Sequence, residues 1–351
     1  DFAAPDKVLA AMKASLDAKE TSYTGNSGMM ELREAISHHF EQRYGVHYDP
    51  KDEILVTVGV SEGLAMALLA ITEPGDEVII PDPAYVAYPA SVELAGGTPV
   101  FVPTYPEHDF KLTVEALEKV ITPKTKAIVI GYPNNPTGTV MSAEELMPIA
   151  KFAEEHDLIV LSDEIYCELM YGDAKFTSFA KLPGMRERTV IFNGFSKAYA
   201  MTGMRLGYVC APREGLAPIL KLHQYAIMCA NTTAQVGGIT ALKECDDDVE
   251  AMRQEYDRRR KVIYKGLCDM GLPVFEPKGA FYIFPDIRCT GMTSAEFCEK
   301  LVQEEKVAVV PGTAFGDQGE GFVRISYAAS MDTIQEALKR MARFVAQYRK
   351  D

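Results

Sequence analysis

The chain has 351 residues, a formal net charge of −14 and a sequence pI near 5.0, with 47% hydrophobic residues. That length suits two cored units of unequal size. The acidic balance argues against nucleic acid or an anionic membrane as partner, and no apolar run reaches the roughly 18 residues of a bilayer span.

No charged-then-apolar leader opens the chain at Asp1-Phe2, so no targeting segment is expected. Seven scattered cysteines without a C-x-x-C pair fit reduced thiols in a cytoplasmic protein. Six histidines lack ligand spacing, and no metal site is expected. A helix is expected near Lys7–Leu16. Ile54–Val58 reads as a strand, followed by Gly59 and a helix from about Ser61 to Ile71. The turn Pro74-Gly75-Asp76 leads to a strand at Glu77–Ile80, a helix ending near Leu94 and a strand at Thr98–Val102. Ala127–Ile130 is short and wholly apolar, as in a strand buried on both faces. Ser142 with Glu145 marks a capping box, and Leu146, Ile149, Ala150 and Ala153 give the helix behind it an apolar face. Strands at Leu158–Leu161 and Thr189–Phe192 follow. This alternation predicts an α/β unit with a mostly parallel sheet flanked by helices.

From Asp247 to about Met270 a long charged helix is expected. Beyond it the pattern changes to isolated strands at Phe281–Phe284, Val307–Val310 and Phe322–Ser326, set between helices. A last helix runs from Asp332 with apolar Ile334, Leu338, Met341 and Val345. This predicts a smaller α+β unit. The large unit is placed at 21–258; residues 1–20 and 259–351 form the small one, the first helix packing with it.

Ligands of open parallel sheets bind beyond the carboxyl ends of the strands. Polar segments fall at four such ends: Gly59-Val60-Ser61, Asn134 to Gly138, Asp163-Glu164-Ile165-Tyr166 and Ser196-Lys197. Gly59-Val60-Ser61 separates a strand from a helix start, where free N–H groups favour a phosphate; a plain turn is the bland alternative. Asp163 ends its strand, either as a cap or as a carboxylate that keeps a pyridine nitrogen protonated, and Tyr166 is placed to donate to a phenolate oxygen. Lys197 follows a buried strand, where desolvation makes an amine nucleophilic, as a Schiff base requires. Arg205 suits a phosphate, and Arg324, inside an apolar strand, suits a substrate carboxylate or a structural ion pair.

Taken in order, Tyr23-Thr24-Gly25, Asn134-Asn135-Pro136-Thr137-Gly138, Ser162-Asp163-Glu164-Ile165-Tyr166, Ser196-Lys197, Arg205 and Arg324 resemble the fold-type I aminotransferases of class I/II, the aspartate and aromatic group. The resemblance covers essentially the whole chain. It implies the pyridoxal-phosphate-dependent transferase fold, with pyridoxal 5′-phosphate held as a Schiff base by Lys197 and ping-pong transfer between an L-amino acid and a 2-oxo acid. It implies that Asp163 pairs with the pyridinium nitrogen, that Tyr166 and Asn135 reach the ring hydroxyl, and that Tyr85 stacks on the ring. Gly59, Val60, Ser61 and Arg205 correspond to the phosphate cup. Tyr23 corresponds to a tyrosine reaching the phosphate of the neighbouring subunit in a homodimer. Arg324, with Asn135, corresponds to the clamp for the substrate α-carboxylate. The family often has cis peptides at the positions of Asp82-Pro83 and Asn135-Pro136. Ser61, followed by Glu62, stands where one branch has a lysine for a distal carboxylate, which points to broad or aromatic members. Phe281, Tyr282 and Phe315 are the expected pocket lining. A β C–S lyase on the same scaffold is the alternative activity. A non-enzymatic cofactor-sensing domain ranks below it, for want of a basic segment, and a dinucleotide-binding dehydrogenase is lower still, since no G-x-G-x-x-G follows a strand.

Overall fold

Seven short apolar runs pair into one sheet in a computed structural model that describes residues 1–350. The strands are β1 (Ile54–Thr57), β2 (Glu77–Asp82), β3 (Thr98–Pro103), β4 (Thr125–Ile130), β5 (Ile159–Asp163), β6 (Thr189–Gly194) and β7 (Gly207–Cys210), in the order β1-β7-β6-β5-β4-β2-β3. Neighbours from β6 through β3 are parallel, while β7 runs antiparallel to both β6 and β1. Consecutive residues of the central strands face different cores. Val78, Ile80, Val129 and Leu161 join one cluster, whereas Ile79, Ile128 and Val160 join another. Burial on both faces is why these strands read as continuous apolar runs. Each such side chain contributes about 1.5–3 kcal/mol by leaving water.

The helices are α1 (Asp6–Asp17), α2 (Met30–Tyr44), α3 (Gly59–Ile71), α4 (Ala87–Leu94), α5 (Val114–Leu117), α6 (Ala143–Glu155), α7 (Arg213–Ala226), α8 (Thr232–Glu244), α9 (Asp246–Asp269), α10 (Ser294–Glu305) and α11 (Met331–Tyr348). The capping box of α6 forms as the sequence predicts, Ser142 Oγ accepting from the Glu145 N–H and Glu145 Oε2 from the Ser142 N–H. A second box, Thr293 with Glu296, opens α10. Among the described residues no helix is long and apolar enough to cross a membrane.

A second, antiparallel sheet of order β8-β10-β9 follows, made of β8 (Tyr282–Ile283), β9 (Val310–Pro311) and β10 (Val323–Ser326). The three late strands are therefore partners rather than isolated, and the expected strand at Val307–Val310 contributes only its last residue. Helix α9 passes from one core to the other, Val249 packing in the cluster of α2 and α8 and Tyr256, Ile263 and Leu267 in that of the small sheet.

The first helix does not pack with the small unit. Val8 and Met12 of α1 close on α8, where a Cβ on Gly237 would stand 2.9 Å from Met12 Cγ and 3.2 Å from Val8 Cγ1. A bare patch of α8 backbone accepts the helix there. The extreme start reaches α9, through Asp1 paired with Arg259 and Phe2 against Tyr256.

Candidate active site

Three glycines bring the carboxyl end of β6 and the start of α3 together. In the sheet register Gly207 lies opposite both Thr57 and Gly194. A Cβ on Gly207 would sit 2.7 Å from the Gly59 carbonyl carbon and the Val60 nitrogen, and one on Gly194 would sit 2.7 Å from Gly207 Cα. Gly59 itself has φ +77°, and its missing Cβ leaves the space taken by Arg205, whose Nη2 would otherwise be 2.6 Å away. The Arg205 guanidinium thus lies against the first turn of α3, where unpaired N–H groups and the helix dipole already favour an anion. Arg205 Nη1 donates to the Thr202 carbonyl at 3.0 Å, which fixes the side chain.

Lys197 lies three residues past the end of β6 and is half-buried, its Nζ 5.8 Å from the ring centre of Tyr166 and 5.6 Å from that of Phe281. Desolvation pushes its ammonium below the ordinary lysine value. Asp163 opposes that shift, while Arg205 and Arg324 add to it. Asp163 ends β5 and is buried in the cavity wall. Burial pushes its carboxyl up, and the Tyr88 hydroxyl, the Ile165 N–H and Lys197 hold it down. Tyr88 Oη donates to Asp163 Oδ2 at 2.8 Å, and the Ile165 N–H donates to Oδ1 at 3.2 Å. Tyr88 reaches that carboxylate because Gly131, just past β4, carries no Cβ, which would stand 2.7 Å from the tyrosine oxygen.

On the opposite wall Arg324 of β10 lies between two rings, 4.5 Å from the centre of Tyr282 and 4.7 Å from that of Phe315. Its Nη1 donates to Asn135 Oδ1 at 3.0 Å. Its Nε is buried without a partner among the described residues. Tyr166 and Tyr282 share a hydroxyl–hydroxyl hydrogen bond of 3.1 Å.

Of the residues singled out in the sequence, Val60, Ser61, Tyr85, Asn135, Asp163, Tyr166, Lys197, Arg205 and Arg324 surround one cavity of about 260 Å³. Gly59 stands behind it as backbone under Arg205. Tyr23 is not brought there; it projects into solvent, 82% exposed. Of the three expected lining aromatics Tyr282 faces the cavity, whereas Phe281 and Phe315 back it from behind Lys197 and Arg324. Asp82-Pro83 and Asn135-Pro136 are both cis, as is Tyr132-Pro133. Ser196, named in the sequence beside Lys197, also lines the cavity; sequence reasoning missed Tyr88 and Thr202, which line it too. The spacing of Tyr85 and Tyr88, one helical turn apart, was the available signal for the first.

A glycine-opened helix start with Arg205, a desolvated lysine, a buried carboxylate and Arg324 thus meet around one cavity. The pattern of the family described as "Aminotransferase class I and II" matches residues 1–341. The chain is 52% identical over 345 residues to the putative aminotransferase YugH of Bacillus subtilis (strain 168), covering 98% of this chain and 89% of that protein. It is 49% identical to the aspartate aminotransferase of Pyrococcus abyssi (strain GE5 / Orsay), covering 99% and 90% of the two chains. The crystal structure of the aromatic aminotransferase from Pyrococcus horikoshii OT3 superposes with a TM-score of 0.97 at 48% identity, covering 99% of this chain and 93% of that one. The chain belongs to the class I and II aminotransferases, and it is an aminotransferase that acts on amino acids and oxo acids.

Proposed function

We propose that the protein holds pyridoxal 5′-phosphate on Lys197 and moves an amino group between an L-amino acid and a 2-oxo acid in two half-reactions. The observation that carries this reading is the placing of the depressed Lys197 amine in one cavity with an anion seat and a buried carboxylate. These residues fit the group. The first turn of α3 with Arg205 suits its phosphate, Asp163 its ring nitrogen, and Lys197 its aldehyde carbon. When bound, the cofactor draws electrons from the substrate Cα and stores the amino group.

The chain's own residues do the rest. Asp163, steadied by Tyr88, keeps a proton on the ring nitrogen. Asn135 spends its oxygen on Arg324, which leaves its amide N–H₂ for the ring hydroxyl beside the Tyr166 hydroxyl. Tyr85 stacks on the ring. Arg324 grips the α-carboxylate, with Tyr282 and Phe315 fixing the guanidinium plane, and so sets which Cα bond is aligned for cleavage. Lys197, as a neutral amine, takes the Cα proton and returns it one step later.

Two chains complete each other's sites in this reading. The exposed Tyr23, with exposed Tyr225, Ile227 and Met228, suits a face that meets a second copy. Seven free cysteines suit a reducing, cytoplasmic setting. The side chain of the amino acid substrate is of broad, aromatic or aspartate-like type, and Ser61 in place of a cation favours the first two.

The test is the visible absorption of the loaded protein. An amino acid without oxo acid should bleach it, a 2-oxo acid should restore it, and the most effective amino acid names the substrate class. Lys197→Ala should retain the cofactor without that cycle. A wild type that never absorbs in the visible after incubation with pyridoxal phosphate ends the proposal, and steady release of pyruvate and a thiol replaces it with the lyase.

A further inference from the structure

Ser61 lines the cavity, but the next residue, Glu62, turns to the fully buried imidazole of His223 on α7. Glu62 Oε1 lies 3.0 Å from Nδ1, and the other ring nitrogen, Nε2, lies 3.0 Å from the Asn26 carbonyl oxygen. A carbonyl only accepts, so Nε2 carries a hydrogen, and Nδ1 and Glu62 hold one proton between them. Glu62 Oε2 accepts from the Val58 N–H at 3.0 Å, the residue just before α3. One buried ring therefore bridges the start of α3 to the segment 22–29, and neither end can let go without stranding a buried polar group.

That segment carries Tyr23. It rests on α7 and α8 through bonds of side chains to its backbone and to Thr24. Gln235 Nε2 donates to Thr24 Oγ1 at 3.1 Å and Gln235 Oε1 accepts from the Met29 N–H at 2.7 Å. Thr232 Oγ1 donates to the Ser22 carbonyl at 2.8 Å. The Asn26 side chain in turn donates to the Met228 carbonyl at 2.9 Å. The Tyr23 side chain projects into solvent from a segment held on either side at Ser22 and Thr24, and His223 joins that segment to the anion-binding turn.

We propose that His223 is a positioning residue that, through Glu62 and Asn26, ties the anion-binding turn of one subunit to the arm by which Tyr23 serves the site of its partner. Order imposed on α3 by a bound phosphate is passed to the arm, so the two sites of the dimer are linked. The proposal rests on the shared-site reading above.

The experiment is a double-mutant cycle on the cofactor-free full chain, with binding of pyridoxal phosphate and, separately, inorganic phosphate measured by titration calorimetry. Tyr23→Phe and His223→Gln should each weaken pyridoxal phosphate binding by about tenfold, the scale of one hydrogen bond to a charged group. The double variant should be little weaker than either single one, because both act through one arm. Effects that multiply to about a hundredfold would overturn the link and leave the shared site standing, as would wild-type affinity in His223→Gln. An unchanged affinity in Tyr23→Phe would overturn the shared site and the link together. Should His223→Gln lose its cooperative melt, Glu62→Gln takes its place in the same cycle, with the same two outcomes.

Discussion

Removing the Tyr88 hydroxyl isolates its effect on Asp163. In Tyr88→Phe the ring stays and only the 2.8 Å bond to Asp163 Oδ2 is lost. A hydrogen bond to a charged group is worth about 1.5–3 kcal/mol, or about one to two pKa units. The Ile165 N–H remains on the other oxygen at 3.2 Å, which places the effect at the lower end. Burial already pushes Asp163 up, so the loss adds in the same direction and the carboxylate becomes easier to protonate. The acid limb of kcat/KM should move about one unit to higher pH, with little change on the alkaline side. The cofactor-free protein gives an independent reading, since the 13C resonance of labelled Asp163 should titrate about one unit higher in the variant. A folded Tyr88→Phe protein whose acid limb and Asp163 resonance both match wild type would refute the reasoning.

Gly59→Ala places a Cβ 2.6 Å from Arg205 Nη2 at a φ of +77°, so beyond the roughly 1–2 kcal/mol of left-handed strain it should weaken inorganic phosphate binding about tenfold or more by calorimetry. Arg324→Lys loses both the bond to Asn135 and the stacked plane, and should raise KM for amino acid and oxo acid about tenfold or more while cofactor affinity, titrated separately, stays unchanged. Glu164 is lifted by burial to about 7, against bonds donated by Ser178, Phe179 and Ser162, so the folded chain holds its proton more tightly than an unfolded one titrating near the ordinary 4.5. Stability should therefore be greatest below that ordinary value and decline as pH rises through about 7; Glu164→Gln should remove a decline on the order of 3 kcal/mol, read from urea midpoints between about pH 5 and 8.5, and an equally steep decline in the variant would contradict it.

The parts of the fold governed by local rules were legible. The central strands show as apolar runs because water is excluded from both faces, and the start of α6 shows because Ser142 and Glu145 satisfy each other's backbone. What depends on a distant surface was not. The apolar face of α1 says that the helix is packed, but its partner is a bare patch at Gly237 that no periodicity marks. β7 escaped because Gly-Tyr-Val-Cys is short and its pairing is antiparallel on both sides, so the surrounding alternation of strand and helix does not predict it. The cavity residues were visible as polar groups at strand ends. Tyr88 was not visible as a partner of Asp163, because that contact exists only where Gly131 leaves the backbone bare.

The electrostatics of the cavity oppose those of the chain. A protein of net charge −14 gathers Lys197, Arg205 and Arg324 around about 260 Å³, with Asp163 as the facing carboxylate. Lys197 gains from this arrangement in two stages. While the seats of Arg205 and Arg324 hold no anion, both arginines reinforce desolvation and favour the neutral amine, the form that attacks a carbonyl carbon. In the proposed reaction a phosphate against Arg205 and a carboxylate against Arg324 would cancel that push and make the amine more basic, which suits a group that must next accept a proton from Cα. In the proposed reaction the same two arginines would set when Lys197 behaves as a nucleophile and when it behaves as a base. A lysine beside a single arginine would be tuned by only one of the two ligands.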